Sequence, residues 1–343
     1  MRLLIVTQAV DRADPVLGFF CRWIEEFALH ADLEVICLKK GEHAFPQNVS
    51  VHSLGKERGG KSSLEKFLYV WKFYSYIWRL RHKYDVVLVH MNEEYMLLGG
   101  LLWRLMGKRA GLWRNHPIGS WKTRIAARLA HVVFYTSPSA FVAGFARSFR
   151  MPVGIDPQSY EKEERTAKNG TLLMLGRIDP IKRVDRVLEA VSRLSSGVIK
   201  LDIYGSPSPG KEVYAGEVRR TYTRLEEQGL LTYKGDVQHR DTPHIYAEHD
   251  IFINATPAGS FDKTIFEAMA AGCIVVTTNP DVHNVIREEL RAEDNVSGIV
   301  RALQAALQLT DKEKEIEREV LRSYVRAEHG LGALVVGVLS RLG

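Results

Sequence analysis

Short apolar runs alternate with longer stretches of helical period along the whole chain. Residues 2–7 (RLLIVT), 33–38 (LEVICL), 49–54, 86–90 (VVLVH), 110–113 and 132–136 are brief and rich in β-branched and aromatic side chains, and each predicts a strand. Between them, 18–30, 63–83, 93–106 and 119–130 carry apolar positions three and four apart and predict helices. A polar stretch follows at 158–170, after which the alternation resumes. Strands are expected at 171–175, 198–204, 231–234, 251–254 and 274–278, and helices at 182–194, 210–228, 241–248, 263–271 and 281–290. A charged helical region at 311–329 and an apolar helix at 332–342 close the chain. This alternation implies an α/β protein of two tandem doubly wound domains, each with a largely parallel sheet covered on both faces.

The domain reading is residues 1–157, a linker at 158–170, residues 171–325, and a final segment 326–343 that crosses back to the first domain. In the helix at 63–83, Leu64, Phe67, Trp71, Tyr74 and Trp78 share one face, taken as the core side. Tyr69, Lys72, Tyr76, Arg79 and Lys83 form an adjacent stripe of rings and cations. Trp121, Lys122, Arg124 and Arg128 add a second such patch. Both suit an anionic membrane interface; plain solvated faces are the alternative.

Composition narrows the class. Of 343 residues, 45% are hydrophobic and 26% charged, which excludes a disordered chain. Three cysteines, widely spaced, argue against a disulfide framework, and no Cys/His cluster suggests a metal site. The first residues read as a buried strand rather than a signal peptide, and no apolar window is long enough to span a bilayer. The expected location is cytoplasmic, or peripheral on the cytoplasmic face of the membrane. Residues 1–152 hold 22 Lys/Arg against 12 Asp/Glu; residues 153–343 hold 25 against 29. A basic half joined to a mildly acidic one implies different partners, and no nucleic-acid module accompanies the basic charge.

The chemistry concentrates at two strand–helix junctions. Gly176-Arg177-Ile178-Asp179-Pro180-Ile181-Lys182 follows the strand at 171–175 and puts two cations at a sheet edge. An Arg fork and a Lys point charge there suit a diphosphate; a solvated turn is the alternative. Gly259, Ser260, Phe261 and Asp262 join the strand at 251–254 to a helix whose N-terminus favours phosphate. Glu267 lies one turn into that helix among Phe266, Ala268 and Met269, where a carboxylate needs a partner such as a ribose diol or a nearby cation. Residues 55–62 also match a P-loop pattern, but no apolar strand ends in the Asp that such a site needs, so a basic loop is the default. The absence of GxGxxG after any strand disfavours a dinucleotide-dependent dehydrogenase.

Together these segments resemble the donor site of family 4 retaining glycosyltransferases, which have the GT-B fold of two Rossmann-like domains facing a central cleft. Gly176-Arg177 with Lys182, Glu267-Ala268-Met269-Ala270-Ala271-Gly272, Asp250-Ile251-Phe252-Ile253-Asn254 and Gly154-Ile155-Asp156 carry the likeness. The resemblance implies that residues 171–325 bind a nucleoside diphosphate sugar, UDP- or GDP-linked, and that residues 1–157 serve the acceptor. It implies that Arg177 and Lys182 hold the diphosphate and Glu267 the ribose. Backbone amides near Ser260, Phe261 and Asp262 face the diphosphate and sugar, the base lies by Val237, and Gly205 lies below it. On the acceptor side it points to Gly18, at a turn opening a helix, and to His116 as the active-site histidine; His90 is the next candidate. The family's first glutamate falls on Gly259, which has no side chain, and Asp262 is the candidate replacement. The implied reaction is metal-independent transfer with retention to a hydroxyl of a glycan or lipid-linked saccharide, with no cofactor. A GT-B epimerase, or a non-catalytic nucleotide-sugar-binding member, is the alternative.

Overall fold

The computed structural model describes residues 1–14, 16–59, 62–194, 200–259 and 262–343. They fall into two compact units: Met1–Gly154 with Leu331–Gly343, and Ile155–Gly330.

The first unit runs β1 (Arg2–Val10), α1 (Phe19–Ala28), β2 (Asp32–Lys40), β3 (Val49–Ser53), α2 (Ser63–Arg79), β4 (Val86–His90), α3 (Glu93–Leu105), β5 (Arg109–Trp113), α4 (Trp121–Leu129), β6 (Val132–Tyr135) and β7 (Ser148–Arg150). The sheet order is β3-β2-β1-β4-β5-β6-β7, parallel throughout. Edge strand β7 was not expected; its three residues, one half-buried and two exposed, leave no apolar run to read. Side chains alternate across the sheet. Leu3, Ile5 and Leu88 pack with α1 and with the closing helix, Leu331–Leu342. Leu4, Val6 and Val89 pack with α2, α3 and α4. The closing helix buries Leu334, Val335, Val338 and Leu342 in this unit, each worth about 1.5–3 kcal/mol.

On α2 the expected core face is the wrong one. Phe73, Ile77 and Leu80 are buried, whereas Leu64 (68%), Phe67 (66%), Trp71 (61%) and Trp78 (57%) are exposed. Both stripes obey the helical period, and period alone does not say which one meets the sheet. Tyr69 and Tyr76 pack against the core, and Lys72 Nζ donates to the Leu54 carbonyl at 3.0 Å.

The second unit runs α5 (Pro157–Glu161), β8 (Thr171–Leu175), α6 (Val184–Arg193), β9 (Lys200–Tyr204), α7 (Glu212–Glu227), β10 (Leu231–Gly235), α8 (Thr242–Ala247), β11 (Ile251–Asn254), α9 (Lys263–Ala271), β12 (Ile274–Thr277), α10 (Val296–Gln308) and α11 (Asp311–Glu328). Residues 198 and 199 of the expected strand lie outside the described residues. The order β10-β9-β8-β11-β12 is again all parallel. Every residue of β11 and β12 is buried, so both sheet faces are covered. At the base of β11, buried Asp250 accepts from Lys314 Nζ (2.6 Å) and an Arg318 guanidinium nitrogen (2.7 Å), tying α11 to the sheet.

Two expectations fail here. The stretch 158–170 is not a free linker: Tyr160 is buried, and Arg165 donates to the carbonyls of Ala271 (3.1 Å) and His249 (3.0 Å). Residues 281–290 are not one helix but contain the end of one short 3-10 turn and the whole of another, Pro280–Val282 and Glu288–Leu290. Val282, Ile286 and Leu290 are all buried four apart, which mimics helical spacing. The real helix is α10, capped by Asn295 Oδ1 on the Gly298 N–H at 2.7 Å.

Candidate functional site

Open parallel sheets bind ligands beyond their strand carboxyl ends, where strand order reverses. In the second unit that point lies between β8 and β11. After β8, Gly176 takes φ 145° and its N–H donates to the Tyr204 carbonyl at 3.0 Å. Gly205, at φ 136°, donates to Gly235 O at 2.7 Å. A β-carbon on Gly205 would stand 1.9 Å from Gly176 O, so only glycine lets these loops close up. Arg177 follows, exposed, with no bonded partner among the described residues. Asp179 Oδ1 accepts from the Ile181 N–H at 3.1 Å and starts the 3-10 turn Pro180–Lys182. Burial raises the Asp179 carboxyl, but the nearby Ser208 side chain and the hydrogen bond from the Ile181 amide hold it below its ordinary value.

Lys182 passes over Gly176 and ends on the Asp262 carboxylate, so the pair bridges the reversal point. Both side chains are largely buried, at 14% and 9% exposure. Asp262 also accepts from Asn254 Nδ2 (2.9 Å) and Thr256 Oγ1 (3.2 Å), and it caps α9 at the Thr264 N–H. Burial works to raise its pKa; the Lys182 ammonium outweighs this and holds the carboxyl below its usual range. One turn along α9, buried Glu267 meets His239 Nε2 at 3.2 Å and accepts from the Tyr246 hydroxyl at 3.1 Å. Its carboxyl too is lowered: burial opposes ionisation, and His239, Lys263 and Tyr246 favour it. Lys263, in the first turn of α9, is pushed down to about 7 by burial against the raising field of Glu267. Tyr160 stands 5.9 Å from Tyr246, ring to ring, and its phenol is raised by burial and by Glu267.

Gly259 takes φ 80°, the left-handed region, and its N–H donates to Asp281 Oδ2 at 3.2 Å. On this backbone the glutamate of the resembled family would be strained. Val237 is half-buried, two residues beyond Gly235. Ser260 and Phe261 lie outside the described residues.

The first unit holds the other candidates. Gly18 is the N-cap residue of α1, and a β-carbon there would stand 2.7 Å from Asp14 O, so packing alone requires glycine. His116 is exposed, its Nδ1 3.0 Å from the Ile118 N and 2.9 Å from the Ile118 O. His90 ends β4 beside the reversal point between β1 and β4, 3.2 Å from Thr7 Oγ1 and stacked on Phe20 at 3.8 Å. In the P-loop look-alike, Ser62 caps α2 and Glu57 accepts from Ser53 and the Lys40 amide, so those groups serve the fold; Gly60 and Lys61 lie outside the described residues.

The second unit therefore brings Lys182, Asp262 and the α9 N-terminus to one sheet edge, with Glu267 a turn away and Arg177 beside Gly176. Sequence reasoning missed His239, Tyr246 and Lys263. His239 lies only two residues beyond Val237, but nothing in local spacing marks a partner for Glu267.

Residues 169–311 match the family of glycosyl transferases group 1, and residues 13–110 match glycosyl transferase 4-like. Over 125 residues the chain is 29% identical to the GtfA subunit of the UDP-N-acetylglucosamine–peptide N-acetylglucosaminyltransferase of Streptococcus gordonii. That match covers 36% of this chain and 23% of the relative, so the chain matches under a quarter of that protein's length. The fold is similar to Anabaena HepE, solved with UDP and glucose, at TM-score 0.78 and 16% identity over 100% of this chain and 99% of that one. It is also similar to sucrose-phosphate synthase from Thermosynechococcus elongatus, at TM-score 0.77 and 17% identity over 99% and 98%. With both halves matched by glycosyltransferase families on two parallel α/β units, the chain belongs to the GT4-like glycosyltransferases of GT-B fold.

Proposed function

We propose that this glycosyltransferase moves a sugar from a nucleoside diphosphate sugar, UDP- or GDP-linked, to an acceptor hydroxyl with retained anomeric configuration and without a metal. The observation that carries the reading is the Lys182–Asp262 pair at the reversal point, beside Arg177 and the N-terminus of α9. Arg177 forks onto the diphosphate, and Lys182 supplies a compact charge beside it. As the glycosidic bond lengthens, negative charge grows on the departing diphosphate. These fixed cations and the α9 amides stabilise that charge without reorganising. Glu267, held by His239 and Tyr246, accepts from the ribose hydroxyls, while Gly205 and Val237 leave room for the base. His116, in the first unit, orients the acceptor hydroxyl. Retention is supported by the family resemblance alone.

The acceptor proposed is a glycan or lipid-linked saccharide at the cytoplasmic face of a membrane. The exposed stripe of α2 supports this, with Arg81 stacked 4.4 Å above the exposed Trp78 ring. Among the described residues no helix is long and apolar enough to cross a membrane.

The experiment incubates the protein with UDP- and GDP-sugars and lipid-linked acceptors, with and without EDTA. It follows nucleoside diphosphate release and the anomeric configuration of the product. Release of UDP or GDP with an α-linked product from an α-linked donor, unaffected by EDTA, is expected. Inversion, or an EDTA-sensitive rate, removes the corresponding part of the proposal. Conversion of the donor to an epimer without transfer favours an epimerase.

A further inference from the structure

Residues 95–155 contain nine Lys or Arg and no Asp or Glu. Most of these cations have structural employment. Arg104 caps the end of α4 on the carbonyls of Arg128, Leu129 and Ala130, and Arg109 donates to those of Arg341 and Gly343. Lys108 and Arg150 bond the carbonyls of Tyr84 and Thr136, Arg114 pairs with Glu93 at 3.4 Å, and Lys122 lies over Trp121. The other three, Arg124, Arg128 and Arg147, converge on one cavity of about 280 Å³, whose walls include Ala127, Val133 and Phe145. None of the three pairs with a carboxylate among the described residues; Arg124 only approaches the Phe141 ring, at 5.3 Å. Beside them His131 is held below its ordinary pKa by burial and by the charges of Arg104, Arg109 and Arg147, so the local field is positive.

Arg124, Arg128 and Arg147, all exposed, line this hollow together with apolar side chains; their like charges repel one another, and no carboxylate among the described residues pairs with them. An anion relieves that repulsion, and the guanidinium fork matches phosphate oxygens. The volume admits a phosphate or diphosphate group with a small appendage and is below that of most pockets for larger ligands.

We propose that the cavity of Arg124, Arg128 and Arg147 is a second anion site, holding a phosphate monoester or diphosphate group that does not belong to the sugar donor. It lies wholly in the first unit, whereas the proposed donor cations lie in the second. The group comes either from a soluble phosphorylated molecule or from a lipid headgroup.

The test uses the full chain with Arg177→Ala and Lys182→Ala, so that the donor cations are silent. Inorganic pyrophosphate is titrated at low salt by calorimetry, and vesicles of phosphatidylcholine containing phosphatidylglycerol are tested by co-sedimentation. Arg147→Gln is expected to weaken binding about tenfold, and the combined Arg124→Gln, Arg128→Gln, Arg147→Gln change to abolish it. Loss confined to pyrophosphate identifies a soluble ligand; loss confined to vesicles identifies a headgroup. Binding of both probes that is indifferent to the three arginines, or no binding of either, overturns the proposal. The three glutamines are also placed in the otherwise unaltered chain, where UDP binding should persist. That control shows the fold is intact and separates failure here from failure of the donor assignment.

Discussion

Lys182 ends on Asp262 across the reversal point of the second sheet, so a buried cation there already has a carboxylate as its counterion. On the donor reading proposed above, a diphosphate beside Arg177 would offer Lys182 a second anion close to the N-terminus of α9, which Asp262 caps.

Asp262→Asn removes one partner of this pair. Breaking a buried pair costs about 3–5 kcal/mol, because the remaining charge is left uncompensated. The variant should therefore melt below the wild type, and saturating UDP should raise its melting temperature by more than it raises that of the wild type. Thermal unfolding with and without UDP checks this; an equal or smaller shift contradicts it.

Glu267 makes a pH prediction. Its folded carboxyl is held below its ordinary 4.5 despite burial, so the native state binds fewer protons than the unfolded chain as pH falls past that value. The stabilisation is complete above 4.5 and is lost as acid carries the pH down through the folded pKa. Glu267→Gln should be less stable at neutral pH, and the gap should narrow below about pH 4. Urea midpoints across that range measure it; a gap that stays constant or widens in acid would count against the role of His239 and Tyr246 as its partners.

Gly259→Glu places the family's usual side chain on a backbone with φ 80°. The left-handed conformation costs an L-residue roughly 1–2 kcal/mol, so the variant should be less stable and its KM for the donor no lower than that of the wild type. Steady-state kinetics with a UDP-sugar and a melting curve decide it; a stable variant with a lower KM would mean that the glutamate was lost by drift and not excluded by the turn.

Much of the fold was legible because parallel strands buried on both faces write themselves as continuous apolar runs. Residues 86–90, 171–175 and 251–254 are strands with the bounds their pattern predicts. The failures have physical reasons. Trp71 and Trp78 share the helical period with the buried Phe73 and Ile77 but lie on another face of α2, which only the sheet selects. Val282, Ile286 and Leu290 are buried at helical spacing on a backbone that is not α-helical. Arg177, Lys182 and Glu267 could be named as candidates because each lies in a motif local to one loop or helix. His239 and Tyr246 were not, because they reach Glu267 only through the folding of separate segments. The closure of Gly205 onto Gly176 joins two different strand ends, a contact no single motif contains.

The central claim is that Arg177, Lys182 and Glu267 bind one nucleoside diphosphate. Calorimetric titration of UDP and GDP into the wild type and into Arg177→Ala, Lys182→Ala and Glu267→Gln measures it directly. The account predicts saturable binding of one nucleotide to the wild type, weakened about tenfold or more by each change. Unchanged affinity in all three variants, or no nucleotide binding by the wild type, would contradict it.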